Sequence, residues 1–162
     1  MIIMEKVHNI EKRCISNNRQ ADEFQKNVLF GLKEVFDQQK RACVFNESDY
    51  ENEVNCLSVL YSDLGEDACE VLGEFCFLPV REDEKYCLFN IIFSITEDVN
   101  IEYFDELSRV VEKINFSLPI GAFILDDKEC ILVYKHVCIM KYEDNIEAVV
   151  DYIKTILCFV KK

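Results

Sequence analysis

An α+β fold, with helices packed on one face of a five-stranded, mostly antiparallel sheet, is what this 162-residue chain predicts. Three observations lead there. Apolar residues recur at helical spacing near both ends and once in the middle. Between these stretches lie runs with the two-residue alternation of half-buried strands. Those runs follow one another through short turns, as antiparallel strands do, rather than alternating singly with helices. The element order is αβββαββα behind an extra amino-terminal helical segment, in a single domain over 1–162 with residues 1–20 as extension and 21–162 as the folded unit.

The first helix rests on Phe24, Val28, Leu29, Leu32, Val35 and Phe36. Upstream, Ile3, Val7, Ile10 and Cys14 form a second stripe at the same spacing, separated by "SNNRQ", where Ser16 or Asn18 suits a helix cap. The two stripes run in phase, through Asn17 and Gly31 as weak members. Two helices or a kinked one are expected, a single long helix with a coiled-coil seam being the alternative. "VFNESDYENE" is acidic and without apolar periodicity, and is expected to be a loop.

Three strands are expected next, at Val54–Tyr61, Cys69–Leu78 and Tyr86–Thr96. Ile101–Phe116 then changes period: Ile101, Tyr103, Phe104, Leu107, Val110, Val111 and Ile114 fill one half of a helical wheel and charged residues the other, with Asn100 as cap. Tyr103 and Phe104 widen the apolar arc, which suits pairing across a dimer. Gly121–Leu125 and Cys130–Met140 form a hairpin around the acidic turn "DDKE". The last helix carries Ile146, Val149, Val150, Ile153, Ile156, Leu157 and Val160, with Asp144 and Glu147 spaced as a capping box.

Composition narrows the function. The formal net charge is −13, and residues 44–84 carry one basic against twelve acidic side chains. Such a surface repels nucleic acid and anionic lipid. A solvated acidic face accounts for it, with a basic partner on 44–84 as the sharper alternative. No apolar run has the length of a membrane span, and because Glu5, Lys6 and His8 interrupt the apolar start no secretory leader is expected. The nine cysteines include no Cys-x-x-Cys pair and mostly sit in apolar runs. Reduced, buried thiols in a cytoplasmic protein are expected.

No catalytic or cofactor signature appears. His136, Cys138 and Cys130 share one strand face, but zinc sites pair their ligands more closely. His8 has no evident partner. A nucleophilic cysteine needs an electropositive setting, which this acidic chain does not offer. The acid pairs Asp126/Asp127, Glu66/Asp67 and Glu82–Glu84 fall in expected turns, where water keeps them ordinary. Neither phosphate-binding glycine loops nor a Gly-x-Ser-x-Gly elbow occur. No catalytic residue, metal or cofactor is expected, and an enzyme or small-molecule binder is a distant alternative.

The sheet faces are more informative. In Cys69–Leu78, Cys69, Val71, Gly73, Phe75 and Phe77 point one way; in Tyr86–Thr96, Cys87, Phe89, Ile91, Phe93 and Ile95 do the same and should lie under the helices. The opposite face mixes Leu72, Cys76, Leu78, Leu88 and Ile92 with Glu70 and Glu74. Those seven residues are the candidate partner-binding set, the apolar ones to contact a partner segment and the two glutamates to select against acidic ones. The amino-terminal helix or a second subunit covering this face is the alternative.

The stretch "INFSLPIGAFILDDKECILVYKHV", a helix ending at Asn115, then Pro119-x-Gly121, an apolar strand, an acidic turn and a strand with "LVY", resembles the type III secretion chaperone-like fold, and within it the YbjN-like family. Residues 101–140 carry the resemblance, and element order extends it over about 21–162. The extra segment 1–20 and the abundance of cysteine depart from the pattern. The resemblance implies a small, acidic homodimer that binds a segment of another protein, and it carries over no catalytic residues.

Overall fold

The computed structural model describes residues 19–48, 54–64, 69–80 and 86–160. Helix α1 spans Arg19–Gln38, followed by strands β1 (Cys43–Asn46), β2 (Cys56–Leu64), β3 (Cys69–Leu78) and β4 (Tyr86–Thr96). A 3₁₀ turn, Ile101–Tyr103, leads into α2 (Phe104–Ser117), and β5 (Ala122–Asp126), β6 (Ile131–Lys141) and α3 (Ile146–Val160) complete the chain. The strands form one sheet in the order β1-β2-β3-β4-β6-β5, every neighbouring pair antiparallel. The class is α+β, as the alternating patterns require.

The sheet has six strands rather than five, because β1 occupies the start of the segment expected to be a loop. Four residues are enough here since each inward one has a partner. Cys43 and Phe45 alternate with exposed Val44 and Asn46, and all four register against β2. The Phe45 ring lies 4.7 Å from that of Phe30 on α1. Just beyond the strand, Glu47 accepts a 2.8 Å charged hydrogen bond from Lys26. Val44 and Phe45 are strand-prone, but a strand this short depends on its packing against α1 and β2.

Helices α1 and α3 lie together on one face of the sheet. Val28, Leu29, Leu32 and Phe36 of α1 join Val149, Val150, Ile153, Ile156 and Leu157 of α3 over Leu57, Val59, Tyr61, Phe75, Phe89, Ile91 and Phe93, all buried in one core. Aromatic rings interlock through it: Phe36 meets Phe75 at 5.4 Å, Tyr61 meets Phe93 at 5.3 Å and Phe77 meets Phe89 at 4.9 Å. The last two are edge-to-face, an arrangement that adds to the area it buries. Gly31, a gap in the sequence stripe, lets α3 approach: a Cβ there would stand 2.9 Å from Val150 Cγ2.

Helix α2 lies against β5 at the end of the sheet. Its Asn115 side chain accepts from the Phe123 N–H at 2.7 Å and donates to the Phe123 carbonyl at 2.8 Å. These two groups point away from β6, so one amide takes up the outward N–H and carbonyl of Phe123 on the edge strand. Leu118 and Ile120, beyond α2, pack back onto the core. Gly121 has φ +67, and the Tyr134 hydroxyl, which donates to the Ile120 carbonyl at 3.0 Å, sits where its Cβ would be. The Pro-x-Gly motif is thus a tight corner under Tyr134.

Caps agree with the sequence in one case and differ in another. Asn100 Oδ1 accepts from the Glu102 N–H at 3.0 Å, as expected for the turn that starts α2. At α3 the cap is Asn145, whose Oδ1 accepts from the Ala148 N–H at 3.1 Å. Asp144, expected there, instead accepts from the Lys141 N–H at 2.8 Å and closes the preceding turn. The expected stripe of Ile3, Val7, Ile10 and Cys14, and caps Ser16 and Asn18, lie outside the described residues.

Candidate interaction site

The seven candidate residues come together on the sheet face opposite α1 and α3. Glu70, Leu72, Glu74, Cys76 and Leu78 follow one another along that side of β3, and β4 sets Ile92 beside Glu74 and Leu88 beside Leu78. Rows of side chains run on across the sheet. Cys56, Cys76, Asn90 and Val137 form one row; Ser58, Glu74, Ile92 and Lys135 form the next. The period of two that brought these residues to one face also brings their cross-strand neighbours within reach.

Burial divides this face into a closed centre and an open border. Glu74, Cys76 and Ile92 are buried, together with Cys56, Asn90, Ser94 and Val133. Leu72, Leu78 and Leu88 are half-buried and Glu70 is exposed. Further out, Val44, Leu60, Val137 and Ile139 leave apolar surface in water, Ile139 most of all at 71 % exposure. Ile139 and Val137 were not among the candidates, although their positions opposite His136 and Cys138 in "KHVCIMK" mark them as members of this face.

Two buried polar groups give the centre its chemistry. Glu74 is held above the ordinary carboxylate range, first by burial and then by repulsion from Glu97. Asn90 is fully buried; its Nδ2 approaches Cys76 Sγ at 3.8 Å, and its Oδ1 has no hydrogen-bond partner among the described residues. A buried carbonyl without a donor is costly. It marks a place where an N–H or O–H from another group would be gained without displacing an existing bond. Asn90 stood in the alternating pattern of β4, but only the structure distinguishes an amide facing water from one sealed off.

The groups weighed for catalysis lie apart from the centre of this face, Cys56 excepted. Burial pushes the thiols of Cys56 and Cys138 up to about 11 and that of Cys87 up to about 12, so all three stay protonated near neutrality. His136 lies on the core face beside Cys138, its Nε2 is buried without a hydrogen-bond partner among the described residues, and burial lowers its pKa below that of free histidine. Cys130 is set apart in the β5–β6 turn with φ 54. Among the described residues no three His, Cys, Asp or Glu side chains group as metal ligands do. Asp126 accepts from the N–H groups of Lys128 at 2.9 Å and Glu129 at 3.2 Å, so it serves the turn. Glu66/Asp67 and Glu82–Glu84 lie outside the described residues.

A cleft of about 120 Å³ opens between α1 and α3, lined by Val35, Phe36, Tyr61, Lys154, Leu157 and Cys158. It is small beside an ordinary ligand pocket. Among the described residues no helix is long and apolar enough to cross a membrane. The chain matches no protein-family model, and a search of curated proteins finds no match either.

Proposed function

We propose that this is a non-catalytic binding protein of the cytoplasm, which acts as a homodimer and captures a segment of a partner protein on the sheet face opposite α1 and α3. The observation that carries the reading is the composition of that face: an apolar border of Leu72, Leu78, Leu88 and Ile139 around a buried centre holding an amide oxygen without a donor. A partner segment would first meet the border. Its backbone or side-chain donors would then satisfy Asn90 Oδ1 and, with Glu70 and Glu74, favour basic over acidic segments. The resemblance of 101–140 to the type III secretion chaperone-like fold and its YbjN-like branch supports the same class.

The test compares partners retained by the native protein with those retained by a Leu72→Asp, Leu78→Asp, Leu88→Asp variant shown by circular dichroism to be folded. All three positions are half-buried, so the charges fall on the border and not in the core. A partner held by the native protein and lost from the variant is expected. Identical retention by both, or nothing retained by either, rules out capture on this face. A regulatory or structural homodimer without client is the second reading, favoured by the apolar surface that α2 leaves exposed.

A further inference from the structure

The closed centre of the sheet face needs a cover. Asn90 is 0 % exposed, Cys56 1 %, Ile92 5 % and Glu74 9 %, values that an uncovered antiparallel face does not reach. This burial is reached within one chain, so a part of the same chain lies over the face. The described helices are placed elsewhere: α1 and α3 on the other face, α2 against β5, two strands beyond β4. Stretches 49–53, 65–68 and 81–85 have four or five residues and are anchored at both ends. Such a loop reaches about 10 Å from its anchors and back. Glu74 and Asn90 lie four residues, about 13 Å, inside the nearest strand end. Residues 161–162 follow α3 on the other face. What remains is 1–18, outside the described residues and joined to α1 at Arg19. The first turns of α1 stand where this face begins: Asp22 accepts from Asn55 Nδ2 at 3.1 Å, next to Cys56, and the Phe24 ring lies 6.2 Å from that of Phe77 at the close of β3.

We propose that residues 1–18 turn back at "SNNRQ" and lie over this face as an amphipathic helix, with Ile3, Val7, Ile10 and Cys14 against the sheet, so that the chain carries its own occupant of the partner-binding site. Length fits. A helix over 3–14 is about 17 Å long. From Cys56 to Ser94, at opposite ends of the closed centre, is about 16 Å, two strand spacings across and four residues along. Charge fits as well: 1–18 carries three basic and two acidic side chains in a chain of net charge −13. Lys6 and Arg13 flank the apolar stripe on one side, and a helix entering at the Cys56 end carries Lys6 towards the border that holds Glu70 and Glu97. An apolar stripe offers no donor to Asn90 Oδ1. A partner segment that supplies one gains a bond the internal occupant lacks, which lets it compete with a cover held at high local concentration. That exchange rests on the capture proposed above; the cover itself does not.

Labelling of the full-length chain with a small maleimide, followed residue by residue, tests the cover. A Val7→Asp, Ile10→Asp variant puts two charges in the stripe and should expose the face. Cys56 and Cys76 are then expected to react at least about tenfold faster than in the native chain, while Cys87 and Cys138, under α1 and α3, keep their native rates. A Val7→Leu, Ile10→Leu variant keeps the stripe apolar and should label as the native chain does. Three results would each overturn the proposal. Unchanged rates at Cys56 and Cys76 in the Asp variant would mean that 1–18 does not cover them. Equal acceleration at all four cysteines would mean that 1–18 supports the whole fold and not this face. Acceleration by the Leu variant as large as by the Asp variant would mean that the stripe does not act through burial. Partner retention is read separately. A face that opens in the Asp variant yet retains no partner keeps the cover and removes capture; native labelling rates in a variant that still retains a partner do the reverse. Where both hold, the opened variant retains more partner than the native chain.

Discussion

Buried Glu74 and half-buried His136 are ionisable groups whose titration should be felt by the whole fold. Glu74 has a folded pKa above the 4.5 of a free glutamate, so the folded chain binds its proton more readily than the unfolded one. Its contribution is fully present below pH 4.5 and is lost as pH rises through the folded value; near neutrality its ionised form is a cost. Glu74→Gln keeps the shape and removes that charge. Urea unfolding should find the variant more stable than the native chain at pH 7, the two converging below pH 4.5. A native chain equally or more stable at pH 7 would mean that the carboxylate is well partnered when ionised. His136 works in another window. Burial lowers its folded pKa below 6.5, so its share of stability is lost as pH falls below that value. It is present in both proteins and cancels in the comparison.

At the scale of elements, α2 guards the β5 edge through one amide. Asn115→Ala removes both hydrogen bonds to Phe123 and leaves a strand N–H and carbonyl facing out. A loss of about 2 kcal/mol is expected in urea unfolding, with faster aggregation because the edge is open to pairing with another chain. Asn115→Asp should not rescue it, since a carboxylate accepts from the Phe123 N–H but repels the Phe123 carbonyl. If Asn115→Ala changes stability by less than about 0.5 kcal/mol, water replaces the amide adequately and α2 is held by Val111 and its neighbours alone.

The sequence made Asn115 visible only as the end of a helix, because a side chain that bonds a strand eight residues away has no periodicity to betray it. Strand β1 escaped for a related reason: four residues are too few for alternation to stand out, and acidic neighbours masked them. By contrast the bounds of β3 and β4 were legible, since an inward face of Val71, Phe75 and Phe77 or of Cys87, Phe89, Ile91 and Phe93 leaves no other register in which the core closes. The candidate site was legible as a face, through the same alternation. Its closed centre was not, because burial of Asn90 and Glu74 depends on what lies over them and not on their own strand.

For the molecule as a whole, the buried cysteines divide between the two faces and report on each separately. Seven described cysteines are free thiols, of which Cys158 is exposed and Cys56, Cys76, Cys87 and Cys138 are buried. Cys56 and Cys76 are cross-strand neighbours on the candidate binding face. Cys87 and Cys138 lie on the core face, under α1 and α3. Capture at a face whose centre is closed requires that centre to open without loss of the helix-covered core. Local openings of this kind cost less free energy than global unfolding, and a difference of about 1.4 kcal/mol is tenfold in the open population. Thiol labelling of the native protein, followed residue by residue with mass spectrometry, should therefore modify Cys158 first. Cys56 and Cys76 should follow, and Cys87 and Cys138 last, with about tenfold or more between the two faces once rates are corrected for the thiol pKa values. Labelling of all four buried cysteines at one common rate would mean that the binding face opens only when the molecule unfolds, and a partner could then reach Asn90 and Glu74 only in a chain that had lost its fold.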